Sequence, residues 1–380
     1  DTGDDDTGDD DTGDDDTGDD DTGDDDTGDD DTGDDDTGDD DTGDDDTGDD
    51  DTGDDDTATE ALWLDQNSGT SEWLHAIYFV DTNNGWAVGN SGTILATADA
   101  GSTWNPQTNS SAHHLYAVSF VDSSNGWAVG GSGNLVSTGD GGATWTTGNT
   151  GTTGHLNAVH FRDANLGWIA GQSGTIQVTY NGGTSWSAQA SGTSETINGL
   201  TFIDELRGWA AGNNGTLLGT LDGGTTWTVQ PSGTSEDLNA IDFADDDNGW
   251  AVGFNGTVLA TDDAGASWTA QATNTWNPLN AVTFVDTDTG WAVGGAATIL
   301  ATTDGGASWT PETTDTSEHL YGVSFTSDSS GWAVGQNGTL LLRAEGVIGD
   351  DDDTGDDDDT GDDDDTGDDD DSGDVLGEAA

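Results

Sequence analysis

The chain has 380 residues, and its three cationic side chains, all arginine, stand against 80 acidic ones for a formal charge of −77. So few cations cannot neutralise a phosphate backbone or dock on anionic lipid, which excludes nucleic acid and acidic membrane surfaces as partners. No apolar run approaches the ~20 residues of a membrane-spanning helix, and the absence of cysteine excludes disulfides and thiolate metal sites.

Residues 1–57 repeat Asp-Thr-Gly-Asp-Asp with period five, and residues 350–380 open with a period-six Asp-Asp-Asp-Asp-Thr-Gly repeat. With no apolar side chains to bury within these repeats, both segments are expected to be disordered and extended by carboxylate repulsion. Closely spaced carboxylates suit a hard cation, but these runs lack the ligand ladder of a calcium loop. Weak, non-specific Ca2+ association is the cofactor chemistry expected of them. The first residue is Asp1 rather than methionine. That reads as a mature product or a fragment whose signal or anchor is not seen.

Between the tails, residues 58–349 carry Gly, Asn and Ser clusters every few residues and no sustained helical period, an all-β pattern. A Gly-Trp-(Ala/Ile)-(Val/Ala)-Gly motif places Trp86, Trp127, Trp168, Trp209, Trp250, Trp291 and Trp332 at a constant spacing of 41 residues. A phenylalanine precedes each by seven: Phe79, Phe120, Phe161, Phe202, Phe243, Phe284 and Phe325. Each repeat reads as four strands. In the second, strand A is expected over 115–122, B over 126–130, C over 134–138 and D at Thr144 and Trp145. Seven such units predict a seven-bladed β-propeller.

The C–D turn has its own motif, running from Thr97 to Trp104 in the first repeat and recurring five times, with Asp99, Asp140, Asn181, Asp222, Asp263 and Asp304 at its acidic position. It resembles the Asp box. One turn geometry accounts for every copy: the carboxylate or amide oxygen accepts backbone N–H groups, glycine supplies positive φ and the tryptophan packs between sheets. A structural role is therefore assigned to these residues, and no metal role. The seventh repeat lacks this turn. Trp63 lies 41 residues before Trp104, so residues 61–64 are expected to supply the outer strand of the last blade and close the ring.

Over about residues 60–345, the Gly-Trp-Ala-Val-Gly strand with its trailing Asp box resembles the photosystem II stability/assembly factor family. That resemblance implies a seven-bladed ring and an assembly role associated with an arginine-rich patch. Here Arg162, Arg207 and Arg343 occupy unrelated repeat positions. Asp boxes also occur in sialidases and some glucanases, whose fold the resemblance shares.

In a four-stranded meander the three arginines fall on the Asp-box face, opposite the face where sialidases hold their arginine triad. The acidic D–A loop residues Glu72, Glu195, Glu236, Asp237 and Glu318 leave a glycoside hydrolase, sialidase-like or glucanase-like, as the alternative reading. The favoured one is non-catalytic binding of a protein or glycan by the D–A loop face. Trp73, His114, His155 and His319 share one loop position there, and His75, Tyr116 and Tyr321 share the start of strand A. Trp276 lies nearby. Aromatic side chains on loops of a rigid scaffold suit peptide or carbohydrate recognition. A monomer, secreted or displayed on a bacterial-type cell surface, is the expected setting.

Overall fold

A computed structural model describes residues 61–345, and the two acidic-tail expectations lie outside them. Seven four-stranded antiparallel sheets make up this region, six of them meanders in chain order. Strand A of blades 1 to 7 is Leu74–Phe79, Leu115–Phe120, Leu156–Phe161, Ile197–Phe202, Leu238–Phe243, Leu279–Phe284 and Leu320–Ser327. In blade 2 the remaining strands are Gly126–Gly130, Leu135–Thr138 and Thr146–Thr147.

Two boundaries differ from the sequence reading by more than one residue, for one reason. Strand A of blade 2 stops at Phe120, because the Asp122 carboxylate takes the N–H groups of Ser124 and Asn125, both at 2.7 Å, and bends the chain. Strand D starts after Trp145 rather than before it, because the Asp140 carboxylate holds Thr144 in the turn through its N–H and hydroxyl. Local side-chain acceptors outcompete the sheet ladder at both ends.

The core is a repeated aromatic seam. Each strand A phenylalanine stacks on the strand B tryptophan of the preceding blade, as Phe120 does on Trp86 at 3.6 Å between centroids. The strand D tryptophan of its own blade meets it edge-on, as Trp145 does at 5.9 Å. Such pairs contribute roughly 0.5–1.5 kcal/mol each beyond burial. The glycine before each strand B tryptophan follows from this packing: a Cβ at Gly126 would lie 2.2 Å from the Phe120 ring. The seams are also hydrogen-bonded, as where Trp86 Nε1 donates to Gly141 O in the next blade's Asp-box turn at 3.2 Å.

The ring closes as expected. Strand Ala61–Asp65 pairs antiparallel with Leu340–Glu345, with Trp63 opposite Arg343, and completes the sheet of blade 7. Trp63 meets Phe325 edge-on at 5.9 Å, and its Nε1 donates to Glu312 at 2.7 Å. Blade 7 has no Asp-box turn to receive Trp291 Nε1. The Arg343 guanidinium covers that ring instead, 5.2 Å from its centroid, while pairing with Glu312 at 3.0 Å. A cation–π contact and an ion pair replace the missing turn.

Candidate functional site

The strand A residues nearest the D–A loops line the mouth of the central channel, a cavity of about 250 Å³ to which all seven blades contribute. One position of this ring carries His75, Tyr116, Asn157, Asn198, Asn239, Asn280 and Tyr321 in blade order.

The four asparagines clamp neighbouring blades. Asn157, Asn198, Asn239 and Asn280 donate through Nδ2 to the main-chain oxygens of Ile197, Leu238, Leu279 and Leu320, at 3.2, 2.9, 2.8 and 2.7 Å. The other three residues are aromatic, and two of them bond within their own blades. His75 Nε2 lies 2.8 Å from Asn90 Oδ1, and the Tyr321 hydroxyl accepts from Gln336 Nε2 at 2.8 Å. The equivalent carbonyls of Leu74, Leu115 and Leu156 therefore receive no asparagine amide from the preceding blade.

Six of the eight ligand-site residues named from sequence form one contiguous arc over this half of the mouth. Trp73 stacks on Tyr321 at 5.9 Å, and His75 lies 5.4 Å from Tyr321 and 5.3 Å from Tyr116. Tyr116 in turn faces His114 at 6.4 Å and His155 at 5.8 Å. Burial pushes the His75 pKa below its usual value and the nearby His114 adds to this, against the opposing Asn90 hydrogen bond. His75 is consequently neutral at pH 7.

The other two stand apart from the arc's ring contacts. His319 Nδ1 accepts the Ala296 N–H of blade 6, as His114 Nδ1 accepts Ser91 N–H and Asp237 accepts Asn214 N–H. In these three copies the loop position props up a B–C turn whose central residue has positive φ, whereas His155 makes no such contact. Trp276 is 85% exposed beside a separate groove of about 890 Å³ that includes Asn274 and Leu259. Among the described residues, no cluster of three or more His, Cys, Asp or Glu converges as a metal site.

Of the acidic loop residues, all but Glu318 have engaged side chains. Glu72, Glu195 and Glu236 accept hydrogen bonds from Ser91, Asn214 and Asn255, each in its own blade's B–C turn. Of the arginines, Arg207 bridges Asp204 and Asp246, and Arg343 is held by Glu312. In the Asp-box turn of blade 1, Asp99 Oδ1 accepts the Thr97 hydroxyl and Thr103 N–H, each at 2.8 Å, and Oδ2 accepts the Thr103 hydroxyl. Asp140, Asp222, Asp263 and Asp304 repeat that pattern, while Asn181 accepts the same pair of bonds and donates to Ser185.

Sequence reasoning missed a deeper ring of the channel. The residue before each strand A phenylalanine is Tyr78, Ser119, His160, Thr201, Asp242, Thr283 or Ser324. Ser119, Asp242 and Ser324 accept the N–H of the next blade's phenylalanine there. Burial pushes the Asp242 carboxyl up to about 7 against two backbone hydrogen bonds, and burial and Arg162 push His160 down to about 4. The signal was present in the sequence, since Asp242 is the one carboxylate in that column.

The sequence profile of the Photosynthesis system II assembly factor YCF48 family matches residues 107–191, 184–278 and 269–344. The chain belongs to this family. A solved structure of YCF48 bound to D1 peptide superposes with a TM-score of 0.64 at 23% identity, covering 75% of this chain and 96% of that one. YCF48 from Cyanidioschyzon merolae gives 0.62 at 23% identity over 74% and 98%. The GH74 enzyme of Niastella koreensis shares the fold at 14% identity, with a TM-score of 0.62 over 76% of this chain and 54% of its own. No curated protein matches the sequence. Membership in this family makes the chain a propeller of the assembly-factor type.

Proposed function

We propose that this YCF48-family chain is a non-catalytic scaffold that captures an extended segment of a partner protein on the aromatic arc of its channel mouth. One observation carries the reading. Three adjacent blades place aromatic rings where the other four place blade-clamping asparagines, and exposed Trp73 extends that arc. Rings of this kind offer large, rigid apolar faces to a ligand. The peptide in the YCF48 complex gives a precedent for this ligand class. A strongly negative chain, with two of its three arginines already paired to carboxylates, does not suit an acidic ligand. The charge also favours a cell-surface or extracellular setting, where salt and divalent cations screen self-repulsion.

The test is a random-peptide display library selected on the full chain and rescreened on the Trp73→Ala/Tyr116→Ala double variant. Enriched peptides are expected to be rich in aromatic residues and to lose at least about tenfold in affinity for the variant, or ~1.4 kcal/mol. Equal binding to both proteins would move the site elsewhere.

A second reading rests on Trp276, whose 85% exposed indole stands beside a groove bearing amide and hydroxyl groups. Such a surface suits a sugar ring. Retention of a neutral glycan by the parent but not by Trp276→Ala supports it, and release of free sugar would favour the hydrolase alternative.

A further inference from the structure

The outer edge of blade 4 differs from every other blade. Position 221, the second residue of the Asp-box turn, is Ala98, Gly139, Asp262 or Thr303 in four other copies and the 70% exposed Tyr180 in blade 3, whereas Leu221 is aliphatic and 73% exposed. Position 229, on strand D, is proline, threonine or alanine in the other blades that carry an Asp box, but Val229 here is 65% exposed. Opposite Trp209 on the neighbouring strand stands Gly219, where the other blades place Ala96, Ser137, Val178, Ala260, Ala301 or Leu342.

A groove of about 480 Å³ lies beside it, with Leu221, Val229, Pro231 and Ala264 along its walls and the Gln230 side chain covering Gly219. Leu206, also exposed, adjoins through its carbonyl, which accepts the Gly223 N–H of the same turn at 2.8 Å. Single exposed apolar residues need no explanation, but several around one hollow mark an interaction surface.

The charge around this groove defines its occupant. Asp263 lines it, and Ala264 N–H donates to Asp247 O, which sets the Asp245-Asp246-Asp247 turn beside the wall. The nearest arginine, Arg207, is bound by both Asp204 and Asp246. An apolar slot with an acidic rim suits a segment that alternates large apolar side chains with lysine or arginine. A second copy of a chain charged −77 is repelled from such a rim.

We infer that the blade 4 edge is a second docking site, distinct from the channel mouth, for a cationic, apolar peptide segment of a partner protein. The apolar side chains pack against Leu221, Val229 and Pro231, and the cations meet the rim.

The test uses the full chain and two synthetic probes, an alternating Phe-Lys octapeptide and an alternating Ser-Lys octapeptide of equal charge. Binding is measured in dilute buffer and at about 1 M salt, where screening acts within ~3 Å and diffuse attraction to the tails fades. The Phe-Lys peptide is expected to bind at least about tenfold tighter than its serine counterpart at high salt. The Leu221→Thr/Val229→Thr double variant is expected to abolish that difference. Threonine already occupies the equivalent positions Thr303 and Thr147, so this variant keeps its fold. Equal binding of both probes overturns the site, as does an advantage that survives the double variant. A change in sedimentation alone would instead identify a second copy as the occupant and overturn the peptide assignment. Because Trp73 and Tyr116 are untouched, failure here leaves the channel-mouth reading standing.

Discussion

The two halves of the channel mouth use one backbone position for opposite ends. Over blades 3 to 6, Asn157, Asn198, Asn239 and Asn280 each reach across a seam to the next blade's main chain. Over blades 7, 1 and 2, the same position turns inward with Tyr321, His75 and Tyr116, and no such amide crosses the seam. The aromatic stacks below are the same on both sides, as Phe79 on Trp332 at 3.5 Å and Phe284 on Trp250 at 3.5 Å show. The ring can therefore release a polar clamp locally, because the phenylalanine–tryptophan seam beneath it holds each blade pair. A recognition surface can occupy the rungs left over without loosening the fold.

The largest expected effect probes whether the asparagine half is wholly structural. Asp242, in blade 5, takes the N–H of Phe284 across the seam at 2.8 Å, the role Ser119 and Ser324 play elsewhere. Its carboxyl is raised from 3.8 to about 7 by burial. Folding thus takes up a proton between pH ~4 and ~7, and this group's contribution to stability is lost as pH rises through that window. His160 works in the opposite sense. Lowered from 6.5 to about 4, it costs stability as pH falls through its own window. Asp242→Ser keeps the seam acceptor and removes the charge. At pH 8 it is expected to raise stability by roughly 1–3 kcal/mol, the channel-lining position holding the effect below the full shift. That gain should shrink as pH falls and vanish only near pH 4, leaving a slope set by His160. A denaturation series over pH 4–8 checks this. Equal pH dependence in parent and variant would show that Asp242 is already well solvated.

A smaller effect separates clamp from contact. Asn239→Ala leaves the Leu279 carbonyl without its 2.8 Å donor, at an expected cost of about 1–2 kcal/mol. Because Asn239 lies outside the aromatic arc, binding of peptides selected on the parent should stay within about twofold. Loss of binding with unchanged stability would reverse the roles of the two halves.

The sequence announced the ring because its signals are local and repeated. Each Gly-Trp pair records a phenylalanine pressed against a Cα, and each Asp box records a turn satisfied by its own side chains. Even the closure was legible, since Trp63 stands at the repeat distance from Trp104. The arc around Tyr116 was legible as a change of residue type within a column, though not its geometry. That His114 and His319 prop up neighbouring turns, and that four asparagines clamp seams, depends on contacts 23 and 40 residues apart in sequence. Side-chain direction across a seam decides those contacts, and composition does not encode it. The groove at Leu221 escaped for a related reason: two exposed apolar residues look ordinary until they share a hollow.

The sharpest version of the comparison converts one half into the other. Tyr116 occupies the column of the four asparagines, with the Leu156 carbonyl standing where they find their acceptors. Tyr116→Asn should complete the clamp between blades 2 and 3 and add about 0.5–1 kcal/mol, a rise in melting temperature of only ~2 °C for a domain of this size. The same change removes the ring that faces both His75 and His155, so affinity for arc-binding peptides should fall at least about tenfold. The two readouts must move in opposite directions. If stability falls together with affinity, the tyrosine was itself holding the seam, and the aromatic half is a different kind of clamp rather than a surface freed for recognition.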